Sequence, residues 1–110
     1  MRLADKVAII TGASRGVGAA DARLLAQHGA RVILTDINEK DGQAVADSIG
    51  ANAKFVCQDV SSEQSWTELM AMVEAEFGGL DILVNNAAIL SNSTVAEETL
   101  AGWQRLFKIN

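Results

Sequence analysis

Four short apolar runs punctuate the chain, at residues 7–10, 32–34, 55–57 and 82–84. Each is continuous rather than alternating, the pattern of a parallel strand covered on both faces. Between them lie longer segments of helical period. These span 16–28, stopped by Gly29; 39–49, stopped by Gly50; and 63–77, stopped by Gly78-Gly79. Glycine just past the last periodic residue is the usual helix stop. Strand and helix in alternation at this spacing predict an α/β fold, a doubly wound parallel sheet.

The helical segments differ in clarity. In the third, Trp66, Leu69, Met70, Val73 and Phe77 recur at three- and four-residue steps and form one apolar stripe, read as core packing. Ser61 and Gln64 are placed to make a capping box at its start. The second has Val45 and Ile49 as its main anchors, and Gly42 weakens it. Residues 88–98 read as a surface loop, and a fourth helix starts near Thr99 with Trp103, Leu106 and Phe107 on its buried face. Asn110 follows Phe107 by three residues and shares that face, as an inward hydrogen-bonder, a site residue or a frayed end. There is no internal repeat, linker or low-complexity tract.

The stretch Thr11-Gly12-Ala13-Ser14-Arg15-Gly16-Val17-Gly18 joins the first strand to the first helix. A strand that turns at glycines straight into a helix presents free backbone N–H groups at the positive end of the helix dipole, which suits a phosphate. Gly12 allows the tight turn, Gly16 lets a ligand approach the backbone, and Gly18 lets helix and strand pack closely. The next strand, over 31–36, ends in Asp36, the context that the dinucleotide fingerprint requires. Polar residues also follow the other strands: Asp59 after the third and Asn85-Asn86 after the fourth. In an open parallel sheet these positions share one edge, around one crevice. Asp59 alone reads equally well as a helix cap or loop carboxylate.

Asp36 bears on which dinucleotide fits. A carboxylate there accepts from the adenosine ribose hydroxyls and repels a 2′-phosphate. Ile37 beside it offers no positive charge, whereas Arg15 could pair with such a phosphate. A desolvated like-charge contact is costly while Arg15 can turn to solvent, so NAD is the expected cofactor.

Bulk properties narrow the rest. The 110 residues suit one domain, and nine basic against fourteen acidic residues give a net charge of −5 with no basic cluster. Nucleic acid and anionic membrane surfaces are therefore not expected partners. No apolar segment reaches the roughly 20 residues that span a bilayer. The N-terminus lacks a signal peptide's apolar core, so a cytoplasmic protein is expected. The single Cys57 reads as a buried structural thiol, and there is no Cys/His cluster for a metal. The chain contains no proline and no tyrosine.

Taken together, Thr11-Gly12-x-x-x-Gly16-x-Gly18, Asp59-Val60, Asn85-Asn86-Ala87 and Ile109-Asn110 resemble, over the whole chain, the N-terminal half of short-chain dehydrogenases/reductases. The resemblance implies a Rossmann sheet of order 3-2-1-4, incomplete at this length. It implies that the segment with Gly12, Ser14, Arg15, Gly16, Val17 and Gly18 holds pyrophosphate and adenosine ribose. Asp36 then selects NAD, Asp59 and Val60 border the adenine, and Asn86 lies along the cofactor. Asn110 falls at the asparagine of a catalytic Asn, Ser, Tyr and Lys group, where it helps hold a proton-relay water. The departures are Ala88, where the family usually has glycine, Asp21, where it is often apolar, and the absence of Tyr-x-x-x-Lys. Without that tyrosine the general acid/base for the substrate oxygen is missing.

The expected parent activity is hydride transfer between NAD and the carbon of a small-molecule secondary alcohol or ketone, with this chain as the cofactor-binding first half. The segments 35–39, 59–63 with Trp66, and 107–110 look most like those of bacterial hydroxysteroid and cyclic-alcohol dehydrogenases. With the fourth strand left as an edge, self-association into a homo-oligomer or marginal stability is expected. Two other readings stand beside it: a non-catalytic dinucleotide-binding or assembly module, and a fragment that folds only with a complementary half.

Overall fold

A computed structural model describes residues 3–86 of the chain. Strands and helices alternate: β1 (Val7–Thr11), α1 (Gly16–Gln27), β2 (Arg31–Asp36), α2 (Glu39–Ile49), β3 (Ala53–Cys57), α3 (Glu63–Phe77) and β4 (Ile82–Asn85). The four strands form one parallel sheet of order β3-β2-β1-β4, as the resemblance implied. The fourth helix, the loop 88–98, Ala88, Trp103, Leu106, Phe107 and Asn110 lie outside the described residues.

Alternation along the strands sends side chains to opposite faces. On one face Ala8, Ile10, Val32 and Leu34 meet Ala19, Ala22, Val45 and Ala46 of α1 and α2. On the other, Val7, Ile9 and Ile33 meet Trp66, Leu69, Met70 and Val73 of α3. The stripe read from the sequence is thus the α3 core contact, with Phe77 packed at its margin. β1 is buried at every position because it lies between β2 and β4 under both layers.

β4 is fastened to β1 at both ends. Val7 N–H donates to Asp81 Oδ2 at 2.9 Å, and Asp81 N–H returns a bond to Val7 O at 2.9 Å. At the far end Thr11 Oγ1 donates to Asn85 Oδ1 at 2.8 Å. Polar anchors at both ends set the register that brings Thr11 beside Asn85.

Several local expectations are corrected. α3 is capped by Ser62, whose Oγ accepts from Ser65 N–H at 3.2 Å, and not by a Ser61–Gln64 box. Ser61 is drawn off to Asp59, and Gln64 pairs with Glu68 one turn on. α1 ends at Gln27, with His28 as its C-cap. Cys57 is exposed rather than buried, because it closes an edge strand. Gly42 does not merely weaken α2: a Cβ there would enter the Phe55 ring, so the glycine seats β3 against the helix.

Among the described residues, no helix is long and apolar enough to cross a membrane, and no His/Cys/Asp/Glu group could hold a metal.

Candidate functional site

The site is built where β1 ends. Gly12 has φ +60° and Gly16 φ +62°, left-handed values that disfavour any side chain. The turn between them is strapped to β2: Ala13 N–H donates to Thr35 O at 3.1 Å and Ser14 N–H to Asp36 Oδ2 at 3.1 Å. A Cβ on Gly18 would collide with the Gly12 carbonyl, so α1 can lie this close to its turn only with glycine there. A Cβ on Gly16 would meet nothing within 4 Å, which leaves the backbone open to an incoming group.

α1 starts differently from its neighbours. α2 and α3 are capped by Asn38 and Ser62, and their first turns carry Glu39 and Asp41 in α2 and Glu63 in α3. α1 follows Arg15, which makes no side-chain cap, and its first turn has no acidic residue. The first N–H groups of a helix have no intrahelical partner. At Gly16, Val17 and Gly18 they therefore form a positive cradle that no side chain among the described residues caps, and a phosphate would complete it.

Asp36 stands beside that cradle. Its Oδ1 accepts from Asn38 N–H at 3.0 Å while Oδ2 holds Ser14 N–H. Partial burial pushes its carboxyl upward, but hydrogen bonds from Asn38, Ser14 and Ile37 outweigh this and hold it below its ordinary value of 3.8. It is ionised and fixed in orientation at the edge of the cradle. Arg15 extends away toward α2, with Nη2 4.0 Å from Asp41 Oδ2 and its side chain 78% exposed. Such an exposed pair is worth at most about 1 kcal/mol and holds the guanidinium loosely.

β3 leads into Asp59 and Val60, just beyond the Asp36–Cys57 pairing. Asp59 Oδ1 takes both the Ser61 hydroxyl at 2.6 Å and the Ser61 N–H at 2.9 Å, and these bonds hold its pKa below the ordinary carboxylate value. The Val60 carbonyl accepts from Trp66 Nε1 at 2.8 Å, so the buried indole that anchors α3 also fixes this loop. Beyond β4, Asn86 N–H donates to Thr11 Oγ1 at 3.0 Å, and Asn86 Nδ2 donates to Asp21 Oδ2 of α1 at 3.2 Å.

The structure thus gathers Gly12, Ser14, Arg15, Gly16, Val17, Gly18, Asp36, Asp59, Val60 and Asn86 at the carboxyl ends of the strands. Asn110 lies outside the described residues. Sequence reasoning missed four participants. Gln58 is buried with both amide atoms unpartnered, as is the Thr35 hydroxyl, at the ends of β3 and β2. Trp66 was read as core packing and as part of the resemblance, not as a site residue, and Asp21 only as a departure. The one available signal was an acidic residue between the small, buried positions of α1. Val17, in the first turn of α1, and Ile37, directly after Asp36, have large apolar side chains 69% and 70% exposed. A cleft of about 390 Å³ lined by Arg23, Gln27, Ser48 and Asn52 opens at the other ends of α1 and α2, away from this edge.

A parallel 3-2-1-4 sheet with a glycine turn opening its first helix is a Rossmann-type architecture. A family model described as short chain dehydrogenase matches residues 6–110. The chain is 46% identical over 109 residues to 3-beta-hydroxysteroid dehydrogenase of Comamonas testosteroni, covering 99% of the chain and 43% of that protein. It is 41% identical over 118 residues to trans-4-hydroxycyclohexanecarboxylate dehydrogenase of Sinomonas cyclohexanicum, covering 99% of the chain and 46% of that protein. With galactitol 2-dehydrogenase of Agrobacterium fabrum it shares 44% identity over 110 residues, 100% of the chain and 43% of that protein. The chain belongs to the short-chain dehydrogenase family, whose members are oxidoreductases that use a nicotinamide dinucleotide. It spans less than half the length of these curated relatives.

Proposed function

We propose that this chain is the NAD-binding half of an oxidoreductase acting on a secondary alcohol or ketone, and that it is inactive by itself. The observation that carries the reading is the uncapped start of α1 together with the bond from Ser14 N–H, in the turn before it, to an ionised Asp36. When bound, the nicotinamide supplies the hydride chemistry. The amides of Gly16, Val17 and Gly18 would hold the pyrophosphate. Asp36 would accept the adenosine ribose hydroxyls and disfavour a 2′-phosphate. Asp59 and Val60 would border the adenine, with the Val17 and Ile37 side chains covering its apolar surface. Asn86 would lie along the far half of the dinucleotide, and Asn110 would help hold a water for proton transfer.

The chain has no tyrosine, so it carries no phenol to exchange a proton with the substrate oxygen. Cyclic or steroidal secondary alcohols are the favoured substrate class, supported by the names of the relatives. A homo-oligomer is the favoured state, supported by β4 standing at the margin of the described sheet with its apolar residues only partly buried.

Calorimetric titration of the chain with NAD and NADP tests the cofactor assignment. Saturable binding of NAD, tighter than NADP and lost in Asp36→Ala, is expected, with no dehydrogenase turnover of a cyclic secondary alcohol. Equal or tighter binding of NADP would refute the assignment of Asp36, and turnover by the chain alone would refute its inactivity.

A further inference from the structure

α1 carries one charged side chain between buried alanines. Ala19 and Ala22 pack against the sheet, and Asp21 sits half-buried on the flank that faces the end of β4. It lies in the second turn, past the N–H groups that a helix cap could serve. It has no cationic partner among the described residues, whose ion pairs are Arg15–Asp41 and Lys54–Glu76. Its bond is to Asn86 Nδ2, at 3.2 Å and across 65 residues of sequence. The Asn86 backbone is pinned separately, through its N–H bond of 3.0 Å to Thr11 Oγ1.

An asparagine amide presents a donor on one side and an acceptor on the other, and a half-turn exchanges them. An ionised carboxylate only accepts. Facing Asp21, the amide must therefore offer its NH2 group, because the flipped state sets two acceptor oxygens against each other. We infer that Asp21 is a positioning residue that locks the Asn86 side chain so that its carbonyl oxygen, not its NH2 group, is left for the dinucleotide. This rests on the cofactor reading above. With pyrophosphate at α1 and adenosine toward Asp36 on β2, the remaining half of the dinucleotide extends over β4, on the other side of β1. A fixed acceptor there suits a hydroxyl donor, namely the second ribose, and not a phosphate oxygen.

The test compares NAD with AMP, which occupies only the Asp36 side. In Asp21→Leu, NAD affinity should fall roughly tenfold, the scale of one hydrogen bond, while AMP affinity stays unchanged. Asp21→Asn keeps an acceptor oxygen and should retain most of the NAD affinity. Asn86→Ala should weaken NAD similarly, and adding Asp21→Leu to it should cost nothing more, because both changes remove one device. The side-chain amide resonances of Asn86 should move in Asp21→Leu without added NAD. If Asp21→Leu fails to fold, Asp21→Ala carries the same comparison without added bulk.

Parallel losses of NAD and AMP, additive losses in the double variant, or unmoved Asn86 resonances would overturn the inference. A wild-type chain that binds neither nucleotide overturns the cofactor reading and this inference with it. A chain that binds NAD through Asp36 but is indifferent to Asp21→Leu overturns this inference alone.

Discussion

Ser14 N–H and Asp36 Oδ2 meet at 3.1 Å, joining the glycine turn that follows β1 to the carboxylate that ends β2. Neither residue is near the other in sequence, and the bond does two things. It orients the carboxylate, and it draws the turn over the sheet edge so that the first amides of α1 lie beside it.

Removing that carboxylate should therefore have a compound effect. Asp36→Ala should weaken NAD by about ten- to a hundredfold, the cost of one or two hydrogen bonds to a charged group. It should also narrow the difference between NAD and NADP, since the like-charge repulsion disappears. Asp36→Asn should lose the repulsion but keep an acceptor, so its NAD affinity should fall less. Titration of all three proteins with both dinucleotides separates the contributions.

The acidity of Asp36 fixes the sign of an acid transition. Its carboxyl is held below the ordinary 3.8, so the folded state favours the ionised form more than the unfolded state does. The resulting stabilisation is present above the unfolded value and is lost as pH falls through the lowered folded value. Urea unfolding from pH 7 down to pH 3 should show stability declining below about pH 4, and Asp36→Asn should show a shallower decline. An equal slope in both proteins would assign the acid transition to other groups.

Gly42 provides a prediction whose sign is opposite to helix propensity. Alanine in a helix interior is favoured over glycine by about 1 kcal/mol. Here, however, the added methyl would enter the Phe55 ring. Overpacking costs roughly 1–3 kcal/mol, so Gly42→Ala should lower the melting temperature. Pairing it with Phe55→Leu should recover part of the loss, which thermal unfolding of the three proteins will measure.

Trp66 joins packing to the site. The indole is buried against β1 and β2 and donates to the Val60 carbonyl at 2.8 Å. Trp66→Phe keeps most of the apolar contact and leaves that carbonyl without its indole donor, a loss of about 1–2 kcal/mol. Trp66→Ala also opens a cavity and should cost about 3–5 kcal/mol. If Asp59 and Val60 border the adenine, Trp66→Phe should weaken AMP and NAD by the same factor.

Much of the architecture was legible from the order of apolar runs and glycine stops, because strand and helix periods are local properties of the chain. Burial on both faces followed from the unbroken apolar runs and the α3 stripe from its three- and four-residue steps, whereas the 3-2-1-4 order came with the family resemblance. The glycine turn and Asp36 were legible for the same reason: each is marked by its place directly after an apolar run. Relations between distant segments were not. Gly42 looked like a weak point until Phe55 arrived from β3, and Cys57 looked buried until its strand proved to be an edge. The cap of α3 moved to Ser62 because Asp59 competes for Ser61.

The sequence by itself determined the alternation of strands and helices, the glycine turn and the acid that ends the second strand. Periodicity and chain stiffness act over a few residues, so these features need no distant partner. Only the tertiary structure decided that Asp21 holds Asn86, that Trp66 holds Val60, and that Gln58 is buried at the sheet edge. A hydrogen bond depends on where two groups meet in space, and that is settled when the strands take their register.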